Sequence, residues 1–590
     1  MLSAATPFVL FDAAPGRLYS GPVEIVETRD PEQVQACLGR LRGAAARGLH
    51  AAGFLSYEAG YSLEAKLKPL RADPDEHGSP LLWFGLFDGF RQVDVEALLP
   101  DKAGAFAAAP RPLVARADYD AALASVKAHI DAGNVYQANL TFPAEVLVAG
   151  SPLAICASIR ERAQAGHGAI VFTGAHWLLS FSPESFFTLE AGKLTTRPMK
   201  GTALRRPDDV AAVEALRNDP KQRAENLMIV DLLRNDLSRV SRTGSVAVPS
   251  LFAVETYPTI HQMTSTITSE LEDGLGPVDV IAAIFPCGSI TGAPKIRAME
   301  LIAGLESSPR GPYTGSIGWI DPGGDAAFNV AIRTLTLDKS GERATLGLGS
   351  GIVADSEAGA EWRECLAKGR FVASAGFDLI ETMRFDPLGG IFELDRHLER
   401  MKASAEAFGF PFHRHDARNE LQAATFRHRE PRKLRMLLSP SGALAIESRA
   451  PPEAPSAPVE VAIVPRPVAA DDVRLRHKTS DRGFYDDARR GAGAFEILFV
   501  DEQGYLTEGS FTHLFVARDG ILLTPPLARG LLPGILRARL LAEGEAVERE
   551  LVAADLQDGF LIGNAVRGLV PARLVQVLPP GAASFSRGSA

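Results

Sequence analysis

Three charged residues in the middle of the chain have the spacing of a small metal-binding or catalytic group. Glu361 and Glu364 lie one turn apart on a helix predicted over residues 361–373, and Lys368 follows Glu364 by four positions. The two carboxylates therefore share one face of that helix. Carboxylate oxygens are ligands that Mg²⁺ accepts, but Glu and Lys four apart also form ordinary solvated pairs. The spacing alone leaves both interpretations open.

Two glycine-containing segments could bind an anion. Residues 285–295 lead into a predicted helix and include Ser289, and residues 530–537 combine a turn with another helix start. Backbone amides at a helix N-terminus point at an anion, and the helix dipole favours its negative charge. Each segment taken alone is a weak signal.

Several motifs follow one another through the first half of the chain. They are Ser182-Pro183-Glu184, Pro198-Met199-Lys200-Gly201-Thr202, Ala224-Glu225-Asn226, Gly349-Ser350-Gly351-Ile352-Val353-Ala354-Asp355-Ser356 and Glu361-Trp362-Arg363-Glu364. In this order they resemble the chorismate-utilising enzymes, over about residues 50–372. Anthranilate synthases carry alanine where this chain has Lys200, so the resemblance is to the aminodeoxychorismate synthase branch of that family.

This resemblance implies the chemistry of the first half. The neutral amine of Lys200 attacks C2 of chorismate and the C4 hydroxyl leaves; ammonia then adds at C4 and expels the lysine. Glu184 is the general acid/base. His261 assists departure of the hydroxyl, with a packed structural histidine as the alternative. A separate glutamine amidotransferase subunit supplies the ammonia, because none of the four cysteines lies in the Gly-x-Cys-x-Gly setting of an amidotransferase nucleophile.

The same resemblance implies how the substrate is held. A Mg²⁺ ion bound by Glu225 and Glu364, with Glu361 beside them, holds the ring carboxylate of chorismate. Arg333 is the candidate for the enolpyruvyl carboxylate, since a planar guanidinium suits bidentate contact; a structural role at a strand end is the alternative. The other substrate-binding candidates are Ser289, Lys368 and Gly351.

A second set of motifs occupies residues 377–577. They are His397-Leu398-Glu399-Arg400, Arg476-His477-Lys478-Thr479-Ser480-Asp481-Arg482, Leu506-Thr507-Glu508-Gly509-Ser510 and Asn564-Ala565-Val566-Arg567-Gly568. Together they resemble the class IV pyridoxal 5'-phosphate enzymes, and among them aminodeoxychorismate lyase.

By this second resemblance, Lys478 forms the Schiff base with pyridoxal phosphate and then moves the substrate proton. Arg400 holds the cofactor phosphate, Glu508 pairs with the pyridine nitrogen, and Thr382 contacts the substrate. The remaining cofactor-binding candidates are Gly534, Ile535, Asn564 and Ala565. The family usually carries asparagine where this chain has His513, and we expect the histidine to replace a structural hydrogen bond.

The two halves together imply one product. The first makes 4-amino-4-deoxychorismate from chorismate, and the second removes pyruvate, which leaves 4-aminobenzoate for folate synthesis. Two alternatives stay open. One is an anthranilate or isochorismate synthase fused to an aminotransferase, which Lys200 argues against. The other is a C-terminal domain that serves only as a silent dimerisation module, which Lys478, Glu508 and Arg400 argue against.

The predicted elements divide these residues between two domains of an α+β protein. Residues 1–372 are expected to form large antiparallel sheets with outer helices, residues 377–580 a fold-type IV enzyme of two α/β subdomains that could form a homodimer, and residues 581–590 a disordered tail. Apolar periodicity predicts helices and strands. The helices are predicted over 118–132, 220–237, 293–305, 361–373 and 394–408, and the strands over 313–320, 327–337, 344–353 and 377–384.

Composition is typical of a globular protein without a nucleic-acid or membrane partner. The apolar fraction is 46%, the charged fraction 23% and the net charge −10, with no basic cluster. No uncharged apolar run approaches the ~20 residues of a membrane helix, and the first residues lack a secretory signal pattern. The four cysteines form no C-x-x-C motif, so we expect reduced thiols and a cytoplasmic location.

Overall fold

A computed structural model describes residues 6–578 of the chain apart from 71–77, 164, 206–208, 257–259, 339–340, 375 and 456. The predicted tail over 581–590 lies outside the described residues. Contacts divide the chain into two units. Unit 1 comprises Met1–Pro100, Ala109–Val146 and Cys156–Ala373, and unit 2 comprises Asp101–Ala108, Leu147–Ile155 and Ser374–Ala590. Over the described ranges, every helix is too short or too polar to span a bilayer.

The strands and helices are numbered here in chain order. The strands are β1 (Phe8–Phe11), β2 (Gly16–Ser20), β3 (Glu24–Thr28), β4 (His50–Leu55), β5 (Leu82–Phe87), β6 (Arg91–Val93), β7 (Phe106–Ala107), β8 (Arg111–Pro112), β9 (Gln137–Ala149), β10 (His167–Phe172), β11 (His176–Ser182), β12 (Ser185–Glu190), β13 (Lys193–Thr196), β14 (Met199–Leu204), β15 (Ala247–Thr256), β16 (Ile260–Glu270), β17 (Gly292–Ala293), β18 (Ser316–Ile320), β19 (Ala326–Asn329), β20 (Thr334–Asp338), β21 (Arg343–Ile352), β22 (Leu379–Asp386), β23 (Gly390–Ile391), β24 (Arg432–Leu438), β25 (Leu444–Arg449), β26 (Val459–Pro465), β27 (Glu496–Val500), β28 (His513–Arg518), β29 (Ile521–Thr524), β30 (Ala546–Glu548), β31 (Phe560–Asn564) and β32 (Gly568–Val577). The α-helices are α1 (Val34–Ala46), α2 (Val95–Leu98), α3 (Arg116–Asp131), α4 (Pro152–Ala163), α5 (Asp209–Asn218), α6 (Pro220–Ser238), α7 (Pro277–Ile284), α8 (Lys295–Leu305), α9 (Ala358–Gly369), α10 (Leu394–Phe408), α11 (Arg414–Thr425), α12 (Val473–Arg476), α13 (Gly483–Ala492) and α14 (Ile535–Ala542).

Unit 1 contains two large sheets. The first has the strand order β17-β9-β21-β20-β11-β10-β1-β2-β6 and the second the order β14-β16-β13-β12-β19-β18-β4-β5-β3. One buried cluster, which includes Tyr19, Phe54, Trp83 and Val171, draws its residues from both sheets. Because each sheet buries one apolar face in this way, the two sheets form a layered core. The antiparallel sheets with outer helices that the sequence predicted are confirmed.

Helix α6 carries Glu225, and its start is fixed by local sequence. Asp219 accepts hydrogen bonds from the backbone N–H groups of Lys221 and Gln222, and Pro220 occupies the first turn. An acidic N-cap followed by proline is a strong helix start, since proline has no N–H to leave unpaired there. The helix buries Ile229, Val230 and Leu233 against the core, and Glu225, one turn before Ile229, is half-buried.

The strand predicted over 327–337 is two strands in the structure. Strand β19 lies in the second sheet and β20 in the first, so the chain changes sheets between Asn329 and Thr334. Arg333 has φ of 52° at this crossing. That left-handed conformation is costly for a residue with a Cβ atom and is found mostly where function or packing enforces it.

Unit 2 contains two smaller sheets. One has the order β23-β22-β24-β25, and the other has the order β27-β26-β32-β31-β28-β29-β30, with β26 parallel to both β27 and β32. Helix α10 spans Leu394–Phe408 as predicted and ends at Gly409, whose φ is 71°. Its apolar side packs with β22 and β24, and Phe106 from earlier in the chain joins the same core. The two α/β subdomains predicted for this half are confirmed.

Candidate active sites

Lys200 lies on β14 among the charged residues that the sequence singled out. Burial lowers the pKa of its amine, and the positive charge of Lys368 lowers it further. The carboxylates of Glu184, Glu225 and Glu364 act in the opposite direction. Four predicted site residues from three separate segments of the chain therefore act on one amine. The lowered pKa leaves a larger fraction of that amine neutral, which a nucleophile requires.

Glu184 sits between β11 and β12 and is almost fully buried. Burial raises the pKa of its carboxyl group to about 7, although the Ser289 hydroxyl and the Lys200 charge lower it in part. Ser289 donates a hydrogen bond to Glu184 Oε1 over 2.8 Å. A carboxyl group with a pKa near neutrality can both release and accept a proton, which suits general acid/base chemistry.

The turn that carries Ser289 is anchored by Arg310, which sequence reasoning missed. Arg310 donates to the carbonyl oxygens of Ile290 (3.2 Å) and Asn139 (2.8 Å), and it pairs with Glu306 at 2.6 Å. Both partners of the ion pair are buried. Arg310 therefore anchors the backbone of the turn that presents Ser289 to Glu184.

The three predicted metal ligands are in different situations. Glu225 has a pKa raised by burial and, to a smaller extent, by the nearby charges of Asp355 and Glu364. Glu364 pairs with Lys368 at 2.8 Å, whereas Glu361 accepts a hydrogen bond from the Ser356 hydroxyl at 2.8 Å. The described residues hold no group of three or more His, Cys, Asp or Glu side chains arranged around one metal position. The oxygen donors of Glu225 and Glu364 fit a hard cation such as Mg²⁺, which commonly takes one or two carboxylates and completes its shell with water and substrate.

Arg333 is a half-buried cation, and burial lowers its pKa. It lies 5.7 Å from the Phe371 ring, and it forms no ion pair with a carboxylate in the described part of the chain. A buried charge without a counter-charge is expensive, so an anionic ligand would stabilise it. Lys368, also predicted to contact substrate, donates to the Gly349 carbonyl over 3.0 Å.

Gly351 needs to be glycine because of its neighbours. A Cβ atom there would lie 2.7 Å from Gln137 Nε2 and 2.9 Å from Asn139 Oδ1. Both neighbours are buried on β9 and were missed by sequence reasoning.

His261 is also buried, and its ring nitrogens lie 3.2 Å from Asp209 Oδ1 and 3.0 Å from Thr256 Oγ1. Its role in hydroxyl departure stays a prediction.

Lys478 is the centre of the second site. Burial lowers the pKa of its amine to about 7, helped by the positive charge of Arg400. Its Nζ atom donates to Thr382 Oγ1 over 3.3 Å, and its carbonyl accepts from the Ile380 amide at 2.8 Å. The structure therefore places Thr382 next to the Lys478 amine, and its predicted contact with substrate stays a prediction. A lowered pKa leaves more of that amine neutral, as attack on a carbonyl group requires.

Arg400 is held by a residue that sequence reasoning missed. Glu381 accepts from Arg400 Nε and Nη2, each over 2.7 Å, and lies 2.6 Å from His397 Nδ1. Burial alone would raise the pKa of Glu381, but Arg400 and His397 bring it well below its usual range. Arg400 also donates to the Pro533 carbonyl at 2.8 Å, beside the predicted phosphate loop.

Glu508 has the setting expected for a partner of the pyridine nitrogen. It accepts from the Tyr485 hydroxyl at 2.6 Å and the Leu532 amide at 3.1 Å, and burial raises its pKa to about 7. His513 Nδ1 is 4.0 Å from Glu508 Oε2 and has no hydrogen-bond partner within the described residues. Burial lowers the pKa of His513 to about 3, so the ring is neutral.

Two backbone loops complete this site. Gly534 precedes the first residue of α14, Ile535, and a Cβ atom on Gly534 would lie 2.0 Å from His513 Nε2. Asn564 Oδ1 accepts from the amides of Val566 and Arg567 at 2.9 Å each, which shapes the turn that contains Ala565. A buried lysine, an arginine beside a helix start and a buried carboxylate together fit pyridoxal phosphate.

Comparison with known proteins matches two parts of the chain to family profiles. Residues 6–374 match the family profile described as chorismate binding enzyme. Residues 378–575 match the profile of amino-transferase class IV, which implies pyridoxal phosphate as the cofactor.

Individual relatives cover part of the chain. Aminodeoxychorismate synthase component 1 of Klebsiella aerogenes is 41% identical over 261 residues, which are 44% of this chain and 57% of that protein. Anthranilate synthase component 1 1 of Haloarcula marismortui is 40% identical over 255 residues, 42% of this chain and 52% of that protein. The chain thus spans little more than half the length of these relatives.

A solved structure shows the same fold for the first half. Anthranilate synthase component I of Streptococcus pneumoniae matches with a TM-score of 0.52 and 25% identity, covering 63% of this chain and 93% of that one. The profile match over residues 6–374 takes in more than half of the sequence. The chain therefore belongs to the chorismate binding enzyme family.

Proposed function

We propose that this chain makes 4-aminobenzoate from chorismate in two steps, an amination in unit 1 and an elimination of pyruvate in unit 2. Family membership does not select the first reaction, because relatives at nearly the same identity carry the names of both aminodeoxychorismate and anthranilate synthases. The observation that carries the proposal is Lys200, a buried amine with a lowered pKa beside Glu184. An anthranilate synthase has alanine at this position and needs no covalent amine.

The first step uses Lys200 and Glu184 together. The neutral Lys200 amine forms a bond to C2 of chorismate, the two ring double bonds shift, and the C4 hydroxyl leaves as water with a proton from Glu184. Ammonia then forms a bond to C4 and the bond between C2 and the lysine breaks. With a pKa of about 7, Glu184 can give the first proton and regain one from the incoming ammonia.

Charged side chains hold the chorismate dianion. Glu225 and Glu364 would bind Mg²⁺ against the ring carboxylate, with Glu361 close to them on α9. Arg333 would take the second carboxylate, which supplies the counter-charge that this buried guanidinium lacks. Ser289, Lys368 and the backbone at Gly351 complete the pocket, and His261 assists departure of the hydroxyl.

The second step takes place around Lys478. Pyridoxal phosphate, when bound, supplies the electron sink for this chemistry. Arg400 and the turns at Gly534 and Asn564 would hold its phosphate, and Glu508 would keep the pyridine nitrogen protonated. The Lys478 amine removes the proton from C4 of 4-amino-4-deoxychorismate. The bond from C3 to the enolpyruvyl oxygen then breaks, and the ring becomes aromatic.

The partners follow from this chemistry. A separate glutamine amidotransferase would deliver ammonia, since the buried cysteines of the chain lack a nucleophile setting. The elimination unit is proposed to form a homodimer, and the protein to act in the cytoplasm.

One assay tests the proposed function. The purified chain is supplied with chorismate, Mg²⁺, ammonium and pyridoxal phosphate, and the products are identified by mass spectrometry. 4-Aminobenzoate and pyruvate in equal amounts are expected, and omission of the cofactor should leave 4-amino-4-deoxychorismate. Anthranilate as the product would refute the first step. Persistent 4-amino-4-deoxychorismate in the presence of cofactor would instead favour the silent-module alternative.

A further inference from the structure

The turn before α8 brings a cysteine into contact with the Glu184 site. Cys287 Sγ lies 3.2 Å from Ser289 Oγ, and Ser289 donates to Glu184 Oε1 over 2.8 Å. All three side chains are buried. Among the described residues, the Ser289 hydroxyl is the only hydrogen-bond partner of the Glu184 carboxyl group. The thiol therefore reaches that carboxyl group through a single hydroxyl.

The number of protons fixes the direction of these hydrogen bonds. A serine hydroxyl has one O–H donor and two acceptor lone pairs. Because the Ser289 proton is used in the bond to Glu184, the Ser289 oxygen can only accept from Cys287. Burial and the charge of Glu184 raise the pKa of the Cys287 thiol to about 12, so the thiol keeps the proton that it donates.

This direction favours the ionised form of Glu184. An ionised carboxylate only accepts hydrogen bonds, whereas a protonated carboxyl group also has an O–H to donate. The protonated form would turn the Ser289 hydroxyl toward Cys287, whose sulfur is a weak acceptor. Donation from the thiol polarises the Ser289 hydroxyl and strengthens its bond to the charged form, since hydrogen bonds in a chain reinforce one another. A bond to the charged form lowers the pKa of a carboxyl group.

The turn holds Cys287 in place by hydrogen bonds of its own backbone. The Cys287 carbonyl accepts from Thr291 Oγ1 over 2.7 Å, and the Lys295 amine donates to the Pro286 carbonyl over 3.4 Å. Lys295 also pairs with Asp236 on α6 at 2.7 Å. The backbone on both sides of the thiol is therefore anchored independently of the carboxyl group.

The other charges near Glu184 come from different elements. Lys200 on β14 lowers the pKa of Glu184, against the effect of burial. Lys200 interacts in turn with Glu225 on α6 and with Glu364 and Lys368 on α9. Replacement of an uncharged thiol alters none of these charges. A shift in the titration of Glu184 in a variant at the thiol would therefore report the chain of hydrogen bonds.

We propose that Cys287 is a positioning residue of unit 1, whose thiol orders the Ser289 hydroxyl toward Glu184 and so stabilises the ionised carboxylate. Without this donor the buried carboxyl group would hold its proton more tightly and would be a weaker acid toward the leaving hydroxyl. The role of Glu184 as general acid/base rests on the proposed function, whereas the chain from thiol to carboxyl group rests on the contacts alone.

Infrared spectroscopy tests the contacts without any substrate. The S–H stretch of a cysteine falls in frequency when the thiol donates a hydrogen bond, and Cys287→Ala identifies its band by subtraction. As the pH falls through about 7, the pKa of Glu184, this band should move to higher frequency. Ser289→Ala should keep the band at high frequency at every pH, and Glu184→Gln should abolish its pH dependence. The control is Cys37→Ala, which removes a buried thiol directed at the Glu27 carbonyl and should leave the shift in place.

The pH dependence of amination tests the consequence for the reaction. The profile of kcat/KM for chorismate, with ammonium as the nitrogen source, reports ionisations of the free enzyme. The protonated form of Glu184 acts first, so activity should fall as the pH rises through its pKa. Cys287→Ala should move this fall to higher pH by about half a unit, the effect of one weak hydrogen bond. Cys287→Ser keeps a donor and should not move it upward. A purely structural role would lower the activity of both variants without displacing the profile.

The outcomes separate this proposal from the proposed function. Thermal midpoints first confirm that each variant is folded. The proposal fails if the Cys287 band is unchanged in Ser289→Ala, if it does not move with pH in the parent, or if its shift survives Glu184→Gln. If the parent does not aminate chorismate, the proposed function is wrong and the infrared spectra still decide the contacts. If the parent aminates chorismate and Cys287→Ala keeps the parent pH profile, the proposal is wrong and the function stands.

Discussion

The amines of Lys200 and Lys478 are prepared by different surroundings. Both are buried, but the neighbours of Lys200 include three carboxylates that oppose the fall in its pKa. Lys478 has one such carboxylate, Glu381, and the positive charges of Arg400, Arg482 and Lys433 reinforce the fall in its pKa. At the first site a bound Mg²⁺ would neutralise carboxylates and so lower the pKa of Lys200 further. The proposed metal would therefore couple the pKa of Lys200 to Mg²⁺, whereas the pKa of Lys478 is already lowered without a ligand.

Replacement of Lys200 tests its role as the nucleophile. Lys200→Ala should lower formation of 4-amino-4-deoxychorismate by more than about a thousandfold, the scale on which loss of a covalent nucleophile acts. Turnover of added 4-amino-4-deoxychorismate should persist, because Lys478 is untouched. The control is Lys193→Ala, an exposed lysine on β13, which β16 separates from β14 in the sheet. Anthranilate from the Lys200 variant would show that this residue sets product identity, and loss of both activities in folded protein would contradict the prediction.

Lys478→Ala should have the reverse effect. Pyruvate release should stop and 4-amino-4-deoxychorismate should accumulate, since the variant lacks the amine proposed to move the proton. The absorbance of lysine-bound cofactor should also disappear. Glu508→Gln should retain that absorbance yet slow the elimination strongly. Conversion of 4-amino-4-deoxychorismate by Lys478→Ala at the parent rate would refute the assignment.

The pKa of Lys478 predicts how cofactor uptake depends on pH. Only the neutral amine attacks the aldehyde of pyridoxal phosphate, and the depressed pKa is about 7. Below that value the amine is protonated and uptake by cofactor-free chain should be slow. The rate should rise through about pH 7 and level off above it. Stopped-flow absorbance measures the profile, and a rate that still rises toward pH 10 would mean that Lys478 is not perturbed.

At the scale of elements, helices α6 and α9 each present one carboxylate to the proposed metal position. Glu225→Gln and Glu364→Gln should each raise the Mg²⁺ concentration that gives half-maximal amination, by about tenfold or more, because few protein ligands hold this cation. Glu361→Gln should have a smaller effect, since the Glu361 carboxylate already accepts from Ser356. Titration of Mg²⁺ against activity measures all three. If the Mg²⁺ titration curves of the parent, Glu225→Gln and Glu364→Gln coincide, the metal binds elsewhere.

Sequence periodicity predicted helices better than strand ends. The span of α10 follows directly from its apolar spacing and the glycine that ends it. The strand predicted over 327–337 was split because the chain changes sheets at Arg333, and no local residue pattern signals such a crossing. Helix α9 begins three positions before its predicted start at Glu361, within the usual uncertainty of helix boundaries.

Motifs predicted the candidate catalytic and cofactor-binding residues but not the residues that form hydrogen bonds with them. Lys478, Glu508 and Arg400 lie in continuous motifs, so the sequence could identify them. Glu381 and Tyr485 could not be identified, because their partners Arg400 and Glu508 are brought to them only by tertiary folding. Most of the site residues that the sequence did not predict are therefore ones that only tertiary folding brings next to the motif residues.

At the scale of the whole molecule, the sequence placed all of residues 1–372 in one domain, whereas contacts assign Asp101–Ala108 and Leu147–Ile155 to unit 2. Phe106 is almost fully buried there, with its ring 5.3 Å from that of Phe377 and 4.9 Å from that of Phe408. Strand β7 pairs with the end of β9 next to this cluster.

Truncation of Phe106 should destabilise unit 2. Phe106→Ala removes a buried aromatic ring, which costs about 3–5 kcal/mol. Calorimetry should show a lower midpoint for the transition that pyridoxal phosphate stabilises. The control Phe84→Ala, a fully buried ring of unit 1, should lower the other transition. If Phe106→Ala leaves the midpoint of the cofactor-stabilised transition unchanged, the stability of unit 2 does not depend on this segment.

Strand β9 supplies Gln137 and Asn139 to the surroundings of Gly351, and its last residues, Leu147–Ala149, belong to unit 2. The two units consequently cannot be exchanged at a single point in the gene. Recombination at codon 374 would yield a downstream segment whose product lacks residues 101–108 and 147–155, and the upstream segment would encode Phe106 without its aromatic partners. Either unit can therefore be replaced in evolution only together with short segments encoded within the other, which would link the inheritance of the two proposed activities.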